Sequence, residues 1–130
     1  MYVGAIIKNL HNEFLLQQRD NNAPTFRKKW TLFGGEVNPG ETLSNAILRE
    51  LNEEIGLTDM DIKSLQQVQA NRQNNGALQF IFEIVIHAPD TKLQLSEGER
   101  FCFVSKKALF NRSFAFNIKE VLETYIRDYP

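Results

Sequence analysis

The chain's apolar residues follow two rhythms, a strand-like alternation and a helical spacing, and these divide it into elements. Tyr2 to Ile7 is a short apolar run that predicts a buried strand. Phe14 to Gln18 predicts its partner, and Asn9 to Glu13 between them supplies turn chemistry for a hairpin, with His11 exposed in the turn. Trp30 to Phe33 predicts a short strand that delivers the chain into a turn at Gly34-Gly35. The period then changes: Leu43, Ala46, Ile47 and Leu51 recur at helical spacing and make a stripe for packing on a core. Thr42 is placed to cap that helix at its start, and Gly56 to end it as the residue that turns left-handed. Further on, Asp61 to Ala70 predicts a polar strand. Ala77 to His87 predicts a central strand covered on both faces, because Phe80, Phe82, Ile84 and Ile86 alternate with Ile81, Glu83 and Val85. Leu93 to Leu95 and Arg100 to Val104 predict two short strands, and Ser105 to Phe110 a short helix opening at a serine cap. The last element is an amphipathic helix, Ile118 to Arg127, with Val121, Leu122 and Tyr125 inward. Strands joined through a crossover helix and closed by a terminal helix predict an α/β fold, a mixed sheet between helices in an α/β/α sandwich, with residues 1–130 as one domain.

Composition narrows the class of partner. A net charge of −1 argues against a general nucleic-acid or membrane-surface binder. The single Cys102 excludes an internal disulfide and fits a reducing, cytoplasmic setting; it sits in the apolar run Phe101 to Val104 and reads as core. No charged-then-apolar leader opens the chain, and no stretch reaches membrane-spanning length. A homodimer is compatible with the sequence without being specified by it.

The polar face of the first helix carries the candidate chemistry. Glu50, Glu53 and Glu54 stand at i, i+3 and i+4, so their carboxylates share one face. Like charges at that spacing repel, which calls for something positive among them. Carboxylates beside a backbone carbonyl of Gly34 or Gly35 form a hard-oxygen donor set suited to Mg²⁺ or Mn²⁺.

Written as a pattern, Gly35, five residues, Glu41, seven residues, then Arg49-Glu50-Leu51-Asn52-Glu53-Glu54-Ile55-Gly56-Leu57 resembles the Nudix box at every fixed position. That resemblance implies the Nudix fold and hydrolysis of a nucleoside diphosphate linked to some group X, a reaction in which divalent metals neutralise the pyrophosphate oxygens and help deprotonate water. Carried over position by position, it implies Glu53 and Glu54 as metal ligands with Glu50 a further one, and the carbonyl of Gly34 or Gly35 as the backbone ligand. Arg49 would hold a carboxylate in register, and Glu41 would orient the loop–helix junction. Members take the general base from the box or from a later loop; Glu97 resembles that later residue, against a solvated loop carboxylate, with Glu99 its nearby substitute. Many members have proline where Phe33 stands, which bears on the substrate wall.

Substrate determinants lie outside the box. Arg19 ends a strand, and the loop 20–29 closes on Arg27, Lys28 and Lys29, cations able to hold phosphate oxygens. Phe33, Phe80 and Phe116 could stack on a base or belong to a core. Asn117 resembles an asparagine with which MutT-like enzymes read a base, while helix N-capping is the simpler account. The expected activity is therefore a Mg²⁺-dependent (or Mn²⁺-dependent) pyrophosphohydrolase acting on a small-molecule nucleotide, including modified nucleoside triphosphates. The alternatives are a nucleotide-sugar or dinucleotide hydrolase and a catalytically inactive nucleotide-binding sensor.

Overall fold

The structure, a computed structural model, describes residues 1–88, 92–96 and 100–130. Strands β1 (Tyr2–Lys8), β2 (Phe14–Gln18), β3 (Trp30–Thr31), β4 (Phe33–Glu36), β5 (Ile62–Arg72), β6 (Leu78–Ile86) and β7 (Arg100–Val104) form one mixed sheet, with helices α1 (Leu43–Ile55) and α2 (Ile118–Asp128) against it. β1 is the spine. It runs parallel to β6 along its whole length, in register from Tyr2 opposite Gln79 to Lys8 opposite Val85. On its other side it changes partner: Tyr2 to Ala5 pair antiparallel with β4, whereas Ile7 and Lys8 pair with β2. The sheet forks at that change.

Period-two alternation sorts the side chains between two layers. Val3, Ala5 and Ile7 of β1, Leu15 of β2 and Phe82, Ile84 and Ile86 of β6 pack under α1 with Ala46, Ile47, Leu51 and Ile55. Their neighbours Ile6, Phe14, Leu16 and Ile81 face the opposite way and pack with Ile118, Val121, Leu122 and Tyr125 of α2. The α/β/α sandwich thus follows from alternation. The polar exception in the second layer is Glu83, which accepts the Tyr125 hydroxyl and pairs with Lys8 at 3.5 Å. Burial and that carboxylate together push the Tyr125 phenol upward, keeping it a donor.

Five local expectations change. Trp30 to Phe33 is two strands, because Trp30 and Thr31 follow β2 while Phe33 crosses to β1, with buried Leu32 between them. Gly34 and Gly35 consequently lie inside β4 and form no turn. Leu93 to Leu95 forms no strand; its backbone instead closes the end of α1. The helix expected over Ser105 to Phe110 is a single 3₁₀ turn, Lys106–Ala108, although Ser105 caps it by accepting the Ala108 N–H at 3.2 Å. Strand β5 runs farther than expected, to Arg72, and two register shifts bend it against β6.

Candidate functional site

Helix α1 holds the box glutamates at fixed heights because both ends are capped. The Thr42 hydroxyl accepts the Asn45 N–H at 3.1 Å, and Gly56 turns left-handed at φ 74 so that its N–H reaches the Asn52 carbonyl. The remaining carbonyls at that end are met from outside. Gln94 N–H donates to Ile55, Ser96 N–H to Glu54 at 2.9 Å and the Ser96 hydroxyl to the Glu53 carbonyl at 3.0 Å. That is the physical reason Leu93 to Leu95 leaves the sheet.

Arg49 is the positive charge that the glutamate face calls for. Its Nε and Nη2 grip Glu41 at 2.6 and 3.0 Å, Nη2 also reaches the Glu36 carbonyl, and Nη1 donates to Glu50 at 2.9 Å and Glu53 at 3.3 Å. A fork gripping a carboxylate at two points fixes orientation as well as charge. The Arg49 guanidinium, joined by the Asn38 N–H, holds the Glu41 carboxyl below the usual carboxylate range. In return Glu41 and then Glu50 make Arg49 still harder to deprotonate.

Two glycines of β4 let the carboxylates come close. A Cβ on Gly35 would lie 2.4 Å from Glu50 Oε1, so the Glu50 carboxylate occupies the space a side chain would need. At Gly34 the N–H donates to Glu54 Oε2 at 3.2 Å, and a Cβ there would meet the Val3 carbonyl at 2.1 Å. The three glutamates differ in setting: Glu50 is largely covered, Glu53 is exposed, and Glu54 borders a cleft. Among the described residues no three carboxylate, imidazole or thiol side chains form a ready cluster, since Arg49 draws Glu50 and Glu53 to itself. The donors are nevertheless all oxygens, and Glu50 and Glu54 are pressed against strand backbone. That set fits a hard divalent cation.

The cleft measures about 1060 Å³ and is lined from both branches of the fork. At one end stand Gly34, Gly35 and Glu54; the rest is walled by residues 22–26, the 73–75 turn, Gln17, Arg19, Gln79, Phe116 and Ile118. Arg19 lines it, its Nε donating to the Thr25 carbonyl and its guanidinium lying 5.0 Å over the Phe116 ring. Phe33 borders the cleft while its side chain is buried in the α1 layer. Arg27 and Lys29 are not among the lining residues, and Arg27 is occupied by the Ala23 carbonyl at 3.0 Å. Phe80 packs against the α1 layer and does not line the cleft. Glu97 and Glu99 lie outside the described residues.

Asn117 corrects the capping account. It precedes α2, but its side chain makes no cap; Nδ2 donates to Gln79 at 3.2 Å and Asn71 at 3.5 Å, while Oδ1 is buried without a partner. Of these three amides it is Gln79, 6% exposed, that lines the cleft. It escaped the sequence reading, although a glutamine inside a strand with two apolar faces was a usable signal. Phe26 escaped it as well, since nothing in the polar loop 20–29 marks that position. Cys102 is half-buried beside the α2 layer and takes a weak hydrogen bond from Arg112 at 3.5 Å.

The NUDIX domain profile matches residues 1–125, and the chain belongs to the Nudix family. In structure it is similar to a MutT protein of Methanosarcina mazei, with TM-score 0.70, 28% identity and coverage of 98% of this chain and 92% of that one. The Nudix domain of Shewanella oneidensis NrtR, solved with ADP ribose, shares the fold at TM-score 0.78 and 19% identity, covering 99% of this chain and 87% of that one. In sequence it is 38% identical over 63 residues to the RNA pyrophosphohydrolase of Yersinia enterocolitica, a span of 48% of this chain. The matched segment is 33% of the relative's length, so the alignment reaches only about a third of that protein. Nudix hydrolases generally use divalent metals such as Mg²⁺.

Proposed function

We propose that this chain is a divalent-metal-dependent pyrophosphohydrolase that cleaves a phosphoanhydride bond in nucleoside diphosphate derivatives, with nucleoside triphosphates, modified ones included, as its substrates. The observation that carries this reading is the approach of two box carboxylates, Glu50 and Glu54, to the backbone of β4, with Glu54 also lining a cleft of about 1060 Å³. Glu50, Glu53, Glu54 and the backbone of Gly34 or Gly35 would hold the cation. Once bound, Mg²⁺ or Mn²⁺ supplies neutralisation of phosphate oxygens and a lowered pKa for coordinated water.

The chain's own groups do the rest. Arg49 ties Glu50 and Glu53 to one guanidinium, and its grip on Glu41 fixes the loop that enters the helix. Gly34 N–H orients Glu54 toward the cleft wall. A carboxylate takes the proton of the attacking water, and Glu54 is the described residue best placed for it, with Glu97 the alternative from the sequence. Arg19, Gln79 and Phe116 line the part of the cleft where the nucleoside would lie, with Asn117 fixing Gln79 from behind.

The test is release of phosphate or pyrophosphate across a panel of nucleoside triphosphates, ADP-ribose and 5′-triphosphorylated RNA, with and without Mg²⁺. At least one compound is turned over, chelation abolishes the turnover, and Glu54→Gln lowers kcat by a factor on the order of 10² or more. Full activity in Glu54→Gln would remove Glu54 from the site. No turnover of any compound would leave the sensor alternative in possession.

A further inference from the structure

Two phenylalanines at the rim of the cleft are built against ordinary folding preference. Phe26 and Phe116 sit at φ 50 and φ 52, a left-handed conformation that bulky side chains rarely adopt. Their rings nevertheless meet, with centroids 4.7 Å apart at an angle of 54°, although they come from loops ninety residues apart in sequence. Both rings stay substantially in solvent, 43% and 44% exposed, so burial does not account for the strain. Both also line the cleft.

The loops that carry them are tied together behind the rings. Trp30 N–H donates to the Ser113 carbonyl at 2.9 Å and Ala115 N–H to the Trp30 carbonyl at 2.8 Å. On the first loop, Lys29 N–H returns to the Phe26 carbonyl. Arg19 lies over the Phe116 ring, adding a planar cation to the aromatic pair. Strained backbone that persists with no gain in burial marks a functional position. Flat, half-exposed aromatic faces beside a guanidinium are the surface on which a nucleobase stacks, whatever its edge pattern.

We propose that Phe26 and Phe116 form an aromatic clasp at the cleft rim against which the substrate's base stacks, so that this pair sets the preference for base-bearing over baseless polyphosphates. The rings touch, so the base lies against the cleft-facing side of the pair and not between them. This rests on the proposed nucleotide specificity, deepens it, and makes the clasp indifferent to which base is present. Identity is left to the Gln79 edge.

Isothermal titration in the presence of Mg²⁺ tests it independently of turnover. The probes are ATP, GTP, CTP and UTP against inorganic tripolyphosphate, with wild type, Phe116→Asn and Phe26→Gly. Wild type is expected to bind at least one nucleoside triphosphate about tenfold tighter than tripolyphosphate, a difference of about 1.4 kcal/mol. Each substitution narrows that gap severalfold or closes it. Both replacement residues accept positive φ, so the melting temperature stays level or rises, which a merely structural role for the rings would not give. Equal binding of nucleotides and tripolyphosphate by wild type would overturn the clasp, as would variants that keep the full gap. Nucleotide binding that is lost in the variants while no compound is hydrolysed would keep the clasp and sink the hydrolase.

Discussion

The two ends of the cleft are made in opposite ways. At the carboxylate end, every side chain comes from one continuous stretch, Gly34 to Glu54, and is held by regular elements and by Arg49. At the aromatic and amide end, Arg19, Phe26, Asn74, Gln79 and Phe116 arrive from four separate segments, mostly loops. One end can be strong and invariant in geometry because it is local. The other can change residue by residue without disturbing the helix, and that separation lets one reaction be directed at different substrates.

The sharpest way to break the carboxylate end is through its glycines, which are adjacent and needed for different reasons. In Gly34→Ala the new Cβ meets the Val3 carbonyl and the Gly4 Cα, backbone atoms that cannot move without parting β1 from β4. We expect a loss of about 3 kcal/mol in chemical denaturation, at the upper end of overpacking costs. In Gly35→Ala the atoms nearest the Cβ are those of the Glu50 carboxylate, the far end of a flexible side chain. Stability then stays within about 1 kcal/mol of wild type, while turnover drops about tenfold or more as Glu50 is displaced. Equal loss of stability in the two variants would show that Gly35 is there for the strand and not for the carboxylate.

Arg49 comes next. Arg49→Ala leaves Glu41, Glu50 and Glu53 without their shared partner, and we expect about 2 kcal/mol of destabilisation in the same assay. Arg49→Lys keeps the charge and loses the two-point grip on Glu41, so it should recover only part of both stability and activity. Full recovery by lysine would reduce Arg49 to a charge.

The same contrast explains what the sequence revealed. Strands β1, β2, β6 and β7 and both helices follow from alternation and spacing, because each buries a face that its own residues declare. The glutamate face was legible for the same reason: helical spacing turns positions in sequence into positions in space. What was not legible is where backbone groups go when a helix end needs them. Leu93 to Leu95 alternates like a strand, yet the Gln94 N–H, with the Ser96 N–H and hydroxyl, serves the last carbonyls of α1. Likewise Gly34-Gly35 suggested a turn, and only the close approach of β1 at Gly34 and of the Glu50 carboxylate at Gly35 shows why glycines occupy a strand. Gln79 and Asn117 stand 38 residues apart, and no local signal joins them.

A smaller effect concerns the junction between loop and helix. The Glu41 carboxyl is held low by Arg49 first and by the Asn38 N–H second. A lowered folded-state value means that this contribution is fully present above the ordinary value of 4.5 and fades as pH falls through the folded one. Glu41→Gln should therefore melt below wild type at pH 6 to 7, and the two melting curves should converge on acidification below about pH 4.5. A gap in melting temperature that stays constant down to pH 3 would show that Glu41 acts there without its charge.

The smallest effect belongs to the amide end, and it separates the two accounts of Asn117. An N-capping side chain can be replaced by serine at little cost, whereas alanine costs about 1 kcal/mol. The Asn117 amide does something else, since it donates to Gln79 and Asn71 and leaves its own oxygen buried without a partner. Removing it discards an orphan acceptor together with two donor contacts, so Asn117→Ala should change stability by less than about 1 kcal/mol. Asn117→Ser should give no rescue over alanine, because a serine hydroxyl is too short to span to Gln79 and has no capping contact to restore. Both variants should shift the order of preference among nucleoside triphosphates, as Gln79 loses the donor that fixes its oxygen and its amide turns in the cleft. Denaturation curves and a four-nucleotide kinetic comparison decide it. Stability restored by serine with preference unchanged would return Asn117 to the helix and leave the amide end to Gln79 alone.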